Sequence, residues 1–185
     1  MYFRHHRKII TIAVITVFLL FLAYLYINNN SGAKEKLTRF FPRVVKTATL
    51  KLDTESPKVK VGEEFKLSLL LMSKTGGVSS FDAVIIYDPD FVRVDEIKTS
   101  DIFPFYPRKL VEDYKNRFVI TGVQNKPDPL NIRSGEVAAV LITPLKIGKT
   151  GFDFLVEGEK YTNVLNGKLE NILDKTEGVE VEIGE

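Results

Sequence analysis

The sequence contains no cysteine and no tryptophan, and its two histidines, His5 and His6, both lie at the extreme N-terminus. Without cysteine there is no disulfide framework, no thiol nucleophile and no cysteine-based metal site. Without histidine, the rest of the chain lacks the usual general base and the commonest metal ligand. Motifs for a nucleophile elbow, a phosphate-binding glycine loop and a zinc-protease helix are also missing. The sequence therefore predicts a protein that is not an enzyme.

The formal net charge of +2 conceals an uneven distribution of charged residues. Residues 1–47 carry eight Lys/Arg against one acid, a balance of +7, whereas residues 48–185 carry 18 against 23, a balance of −5. The basic character therefore belongs to the N-terminal part. The mildly acidic remainder argues against nucleic acid as a partner.

Residues 9–27 form an uncharged, strongly apolar run after a basic tail at residues 1–8. Nineteen such residues are long enough to cross the hydrocarbon layer of a bilayer as one helix. A cleaved signal peptide usually has a shorter apolar region, so a retained signal-anchor is the favoured interpretation. Counting basic residues on both sides points the opposite way, but large following domains translocate largely regardless of charge. We expect a single-pass membrane protein with a cytoplasmic N-terminus and an extracytoplasmic domain.

Residues 28–46 are interpreted as a linker between this segment and the domain. Apolar and basic residues alternate irregularly in its second half, and Pro42 interrupts them. Two interpretations stay open here: a short amphipathic piece lying on anionic head groups, and a plain linker.

Residues 47–185 show short β-strand patterns separated by turns. The clearest is residues 81–87, rich in β-branched and aromatic residues; Pro89 ends it because proline lacks an N–H and fixes its φ angle. Residues 114–123 are predicted to be another strand, and residues 103–107 an irregular aromatic loop. About nine such strands, with no helical period, predict an all-β, largely antiparallel sandwich preceded by one transmembrane helix.

Several segments of this domain resemble, in order, those of a cohesin module, the β-sandwich that captures dockerin domains in cellulosomes. The segments are V-G-E-E-F-K-L (61–67), G-V-S-S-F-D-A-V-I-I-Y-D-P-D-F-V-R-V (77–94), S-G-E-V-A-A-V-L-I-T-P-L (134–145), G-K-T-G-F-D-F (148–154) and the closing stretch 164–184. The similarity extends over nearly all of 48–185. It implies a jelly-roll sandwich of about nine strands, of the Ig-like two-sheet kind, that binds a protein partner.

The resemblance also implies that one sheet face docks the partner. Positions carried over from the family, together with outward-facing positions given by strand alternation, form the predicted partner-binding set: Ser80, Asp82, Val84, Ile86, Tyr114, Val119, Thr121, Val123, Asn125 and Asp128. The apolar members would form a patch with a polar rim, as binding faces do. The alternative is a face covered by its own loops. Cohesins usually belong to scaffolds or wall anchors, so the lone module leaves a role in cellulose degradation in doubt.

Two other functions remain open at the level of sequence. A carbohydrate-binding or adhesive domain would use the concentrated aromatic group Phe103, Phe105 and Tyr106, whose alternative role is packing in the core. A structural subunit of an envelope complex would need no exchangeable partner. Asp88 with Asp90, and the stretch Asn163, Asn166, Asn171 and Asp174, offer oxygen ligands for calcium. Neither has EF-hand spacing, so ordinary turn chemistry is favoured and no cofactor or metal site is predicted.

Overall fold

The computed structural model describes residues 16–24, 26, 28, 44–125, 130–157 and 161–185. The chain divides into two compact units, Met1–Arg43 and Val44–Glu185. In the first unit, residues 16–24 are helical. Within the described residues, no helix reaches the length and apolarity that a membrane span requires. The predicted span at residues 9–27 lies partly outside the described residues.

The second unit is built from β-strands, of which twelve lie in its described part. They are β1 Ala48–Asp53, β2 Lys58–Lys60, β3 Phe65–Ser73, β4 Val78–Ile86, β5 Val92–Thr99, β6 Phe105–Glu112, β7 Arg117–Val123, β8 Ser134–Pro144, β9 Gly148–Phe154, β10 Asn163–Asn166, β11 Leu173–Glu177 and β12 Val179–Gly184. A 3₁₀ turn, Asp113–Lys115, connects β6 to β7. The prediction of an all-β domain is confirmed, although the strands exceed the nine expected.

The strands form two sheets that pack as a sandwich. The five-stranded sheet has the order β11-β1-β3-β8-β5, and the seven-stranded sheet has the order β2-β12-β9-β4-β7-β6, with β10 paired to β4. Pairing is antiparallel except for two parallel pairs at sheet edges, β1 with β11 and β2 with β12. The expected, largely antiparallel arrangement is therefore found.

The core lies between the two sheets and follows from strand alternation. In β3 every second residue, from Phe65 to Ser73, is buried, because successive side chains point to opposite faces of a sheet. Four phenylalanines supply the largest fully or almost fully buried side chains: Phe81, Phe103, Phe118 and Phe152. The buried members of this core lie between Ala48 and Ile183. The second unit thus has a hydrophobic core of its own.

Two sequence predictions are wrong in this region. The predicted irregular loop at residues 103–107 extends too far: strand β6, at the edge of the seven-stranded sheet, already begins at Phe105, with a register shift between Phe105 and Arg108. Tyr114, expected on a strand, lies in the 3₁₀ turn, and β7 begins only at Arg117. Proline has no N–H to donate to a neighbouring strand. Pro107 is tolerated in β6 because an edge strand has one side without a neighbour, where no such hydrogen bond is needed.

The sandwich has two ends, which we name by a residue at each. At the Val44 end, β1 begins: Ala48 pairs with Ser73 and with Leu173. At the Gly148 end, β8 finishes and β9 begins, and Val92 pairs there with Pro144. Turns at the two ends therefore face in opposite directions, while the sheet faces form the sides.

Candidate functional site

The outer face of the seven-stranded sheet, which points away from the core, brings together residues of four strands. Buried Phe81, Ala83 and Ile85 of β4 face the core. The residues between them therefore point outward. Register aligns these outward residues in rows across the sheet: Asp82 lies opposite Thr121 of β7, and Thr121 lies opposite Arg108 of β6. We call this surface, on β4, β6, β7 and β10, the outer face.

A hydrogen-bonded polar group crosses the middle of the outer face. Oδ1 of Asp82 accepts from Thr121 Oγ1 and from Arg108 Nη2, both at 2.5 Å. The Nε of Arg108 donates to Thr121 Oγ1 at 3.0 Å, and Asn163 Nδ2 donates to Asp82 Oδ2 at 3.4 Å. We call these four residues the Asp82 cluster. Asp82 is engaged within the chain and fixes the guanidinium of Arg108, which is about half exposed and keeps further N–H donors.

Apolar side chains flank the Asp82 cluster. Ile86, Phe105 and Leu110 are exposed, and they are the exposed large apolar residues that lie within strands of the described part of this unit. Val84 and Val119 also belong to the outer face but are only 3% and 5% exposed, so they add little accessible apolar surface. The outer face therefore carries exposed apolar side chains on both sides of a hydrogen-bonded polar group.

The five-stranded sheet is different in character. Its strands carry ion pairs, namely Lys51 with Asp53, Lys66 with Glu136, Arg93 with Asp95, Lys98 with Glu96, and Lys175 with Glu177. Among the described residues of its strands, no large apolar side chain is exposed. The contrast between the two sheets singles out the outer face.

A second charged group borders the outer face near Ile86. Glu112 accepts hydrogen bonds from Lys115 Nζ at 2.8 Å, Arg117 Nε at 2.6 Å and the Tyr114 hydroxyl at 3.1 Å. The hydrogen bond from Lys115, followed by that from Arg117, lowers the pKa of Glu112 from 4.5 to about 2. Glu112 therefore stays ionised in the folded protein to lower pH than an ordinary glutamate, and it ties the 3₁₀ turn to both neighbouring strands.

This pKa shift gives a testable pH dependence for Glu112. Because its folded-state pKa lies below the ordinary value, ionised Glu112 stabilises the fold above about pH 4.5, and this contribution is lost as pH falls towards 2. We expect Glu112→Gln to be less stable than the parent at pH 7, with the difference shrinking between about pH 4.5 and 2. Urea unfolding across pH measures it. The exposed Glu64→Gln serves as control, and a pH-independent difference would contradict the assignment.

The structure places most of the predicted partner-binding residues on this one surface. Ser80, Asp82, Val84 and Ile86 lie on β4, and Val119, Thr121 and Val123 lie beside them on β7. Asn125 follows β7, whereas Asp128 lies outside the described residues. Tyr114 is highly exposed on the 3₁₀ turn instead of on a strand. That these residues bind a partner stays a prediction.

Sequence reasoning missed two residues of the outer face, Arg108 and Leu110. Both lie on β6, where Pro107 suggested a loop. Arg108 and Leu110 do alternate in the sequence, and that spacing was the available signal. Asn163, considered only as a calcium ligand, instead reaches Asp82 from β10.

The three aromatic residues proposed as an alternative contact patch do not form one. Phe103 is 2% exposed, and Tyr106 packs against the core with its hydroxyl donating to the Val137 carbonyl at 2.8 Å. Only Phe105 is exposed, and its register with Val123 places it on the outer face. The core-packing alternative therefore holds for Phe103 and Tyr106.

In the turns considered for calcium, side-chain oxygens accept hydrogen bonds from backbone amides of the same turn. Asp88 Oδ1 accepts from the Asp90 amide at 3.0 Å. Asn166 Oδ1 accepts from the amides of Lys168 and Glu170 at 2.9 and 3.0 Å. Within the described residues, no group of three or more His, Cys, Asp or Glu side chains could hold a metal ion.

Comparison with known proteins identifies the fold. No protein-family model matches the sequence, and no curated protein matches it. Solved structures do. A type I cohesin–dockerin complex from Clostridium thermocellum aligns with 18% identity and a TM-score of 0.60, covering 75% of this chain and 100% of that one. A non-cellulosomal cohesin from Archaeoglobus fulgidus aligns with 11% identity and a TM-score of 0.58, covering 75% of this chain and 92% of that one. The cohesin module of a Clostridium perfringens family 33 glycoside hydrolase aligns with 19% identity and a TM-score of 0.58, covering 77% of this chain and 98% of that one. These similarities establish a cohesin-like fold.

Proposed function

We propose that the second unit is a non-catalytic module that captures a protein partner on its outer face. The observation that carries this proposal is the combination on one surface of exposed Ile86, Phe105 and Leu110 with the hydrogen-bonded Asp82 cluster. Apolar contact with such a surface supplies affinity because it removes water from both partners. The opposite sheet, with its paired charges, offers no comparable surface within the described residues.

Specificity would come from the Asp82 cluster. Arg108 is held along one edge by Asp82 and Thr121, so its remaining donors are fixed in direction before a partner arrives. A preorganised guanidinium loses less conformational freedom on binding than a free one. Asp82 thus serves as a positioning residue, and Arg108 as the group that a partner's acceptor would meet.

The proposed partner is a dockerin-like protein. Structures with this fold include complexes in which a cohesin is bound to a dockerin, among them that from Clostridium thermocellum. A carbohydrate ligand is less well supported, because two of the three aromatic residues it would need lie in the core. Nothing in the geometry favours a purely structural role.

We also propose that this module stands outside a membrane, anchored by residues 9–27 with the N-terminus in the cytoplasm. The support is the sequence, which runs for nineteen residues without a charge after a basic tail. The bilayer would then be a second partner of the chain, through its N-terminal segment.

The binding proposal predicts the effect of charge placed on the outer face. Screening the unit Val44–Glu185 against a yeast-displayed panel of dockerin modules should identify a binder. Ile86→Asp and Leu110→Asp should then weaken it at least about tenfold, because a desolvated carboxylate would oppose an apolar contact. The matched control is Leu145→Asp, which introduces the same charge at an exposed leucine of the Gly148 end.

The control separates a local effect from a general one. Circular dichroism and urea unfolding should show that the three aspartate variants remain folded. Binding that survives both outer-face substitutions would show that the contact surface lies elsewhere. A panel that yields no binder would count against a dockerin-type partner.

A further inference from the structure

The guanidinium of Arg108 has one edge that is fully used and one that is free. Its Nε donates to Thr121 Oγ1 at 3.0 Å and its Nη2 donates to Asp82 Oδ1 at 2.5 Å. These two nitrogens lie on the same side of the planar group. The adjoining end edge consists of one N–H of Nη1 and the second N–H of Nη2, and it makes no hydrogen bond within the described residues. Two donors therefore stay available side by side.

The other polar groups at the centre of the outer face are already engaged. Asp82 accepts at Oδ1 from Thr121 and Arg108, and at Oδ2 from Asn163 at 3.4 Å. The hydroxyl of Thr121 both donates and accepts, and this residue is buried. The accessible hydrogen-bonding capacity that remains there is therefore donor capacity on Arg108, and it calls for an acceptor on the partner.

The distribution of charge favours an anionic acceptor over a neutral one. The side chain of Arg108 is 47% exposed and that of Asp82 is 26% exposed, so the cation is the more accessible member of the pair. Asp82 and Glu112 are the acids of strands β4, β6, β7 and β10, all of whose residues are described. Glu112 is held by Lys115 and Arg117. An anion that approaches Arg108 thus meets no unpaired carboxylate on these strands.

Exposed apolar residues lie on both sides of Arg108 along β6. Phe105 is in register with Val123, and Leu110 is in register with Val119, so both belong to the outer face with Arg108 between them. A partner that contacts Phe105 and Leu110 would cover the guanidinium and exclude water from its free edge. Hydrogen bonds between charged groups become stronger where water is excluded, and such covered groups dominate binding energy at interfaces.

The other described arginines lack this combination. Arg93 and Arg117 each donate through Nε to a single carboxylate at 2.6 Å. Arg93 lies on the five-stranded sheet, whose strands carry no exposed large apolar side chain, and the side chain of Arg117 is only 13% exposed. Arg133 precedes β8 and lies outside the strands. Among the described arginines, Arg108 alone is fixed along one edge, free along the next and flanked by exposed apolar residues.

We propose that Arg108 binds a carboxylate side chain of the protein partner end-on, through Nη1 and Nη2, while Asp82 and Thr121 hold its other edge. Two parallel N–H donors match the two oxygens of a carboxylate, a pairing that lysine cannot reproduce. Because the guanidinium is already oriented, little conformational freedom is lost on binding. This inference rests on the proposed function and names the group that the partner carries at this surface: an aspartate or glutamate between two apolar contacts.

A display library tests this without knowledge of the natural partner. Dockerin modules randomised at exposed helix positions are displayed on yeast and sorted for binding to the unit Val44–Glu185. Against the parent, we expect Asp or Glu to be enriched at one position at least about tenfold over Asn and Gln, because charged bidentate pairs are the stronger ones. Sorting against Arg108→Gln should abolish this preference.

Individual binders from the parent sort then separate geometry from charge. Arg108→Lys keeps the positive charge but lacks the paired donors, so it should weaken them at least about fivefold. The matched control is Lys109→Gln, which removes a positive charge at the next residue. Lys109 is in register with core-facing Ile120 and so points away from the outer face, and its replacement should change affinity less than about twofold.

The variants Ile86→Asp and Leu110→Asp distinguish this inference from the proposal on which it rests. Binders that are weakened by these two substitutions but tolerate Arg108→Gln, or that carry amides as often as acids, overturn the carboxylate contact and leave the outer face as the binding surface. Equal effects of Arg108→Lys and Lys109→Gln would likewise overturn it. A library without binders, or binders insensitive to every outer-face substitution, overturns both.

Discussion

Replacing Phe103 by alanine should lower the free energy of unfolding by about 3–5 kcal/mol, as removal of a buried phenylalanine does elsewhere. Its ring lies 5.1 Å from that of Phe81 and 6.2 Å from that of Tyr106, centroid to centroid, in edge-to-face contacts. The rings of Phe81 and Phe103 also pack closely over Gly122, where an added Cβ would lie 2.4 Å from Phe81. Gly122 has no side chain that could move into the cavity left by Phe103. Urea unfolding of the unit Val44–Glu185 measures the loss.

The control for this prediction lies two residues away. Phe105 is 55% exposed, so Phe105→Ala should cost less than about 1 kcal/mol in stability. If the outer face binds as proposed, that variant should weaken binding instead. Equal destabilisation by the two substitutions would mean that the aromatic stretch is not divided between core and surface.

The orientation of side chains could be predicted from the sequence in strands where buried and outward-facing residues alternate. Residues 81–87 and the leucines of β3 alternate because one face of each strand must enter the core, so their orientation follows from the sequence alone. That alternation, together with the resemblance to cohesins, correctly placed Asp82, Thr121 and Val123 on one surface. Central strands are the most predictable because both neighbours constrain them.

The edge strand β6 escaped prediction for the opposite reason. β6 has a neighbour on one side only, so it accepts Pro107 and three consecutive exposed residues from Arg108 without losing its place in the sheet. Because β6 was not predicted, Arg108 could not be recognised as the partner of Asp82. The exposure of Val84 was also misjudged, since alternation gives the direction of a side chain and not what covers it.

A different kind of contact, that of Thr162, cannot be inferred from strand patterns at all. β4 pairs with β9 at Ile85 and Ile86, and with β10 from Val78 to Asp82, so Val84 lies where the neighbouring chain leaves the sheet. The hydroxyl of Thr162 fills this gap, accepting from the Val84 amide at 3.1 Å and donating to the Val84 carbonyl at 3.2 Å. A side chain thereby replaces one step of the backbone ladder.

Thr162→Val should therefore destabilise the sandwich by about 1–3 kcal/mol, although valine has almost the same shape as threonine. The carbonyl of Val84 would still accept from the Leu155 amide at 2.8 Å, but its own amide would be left buried and without a partner. Thr162→Ser keeps the hydroxyl and should lose less than the valine variant. Hydrogen exchange gives an independent measure, since the Val84 amide should exchange faster in Thr162→Val alone. Unchanged stability in the valine variant would show that the hydroxyl does not complete the ladder.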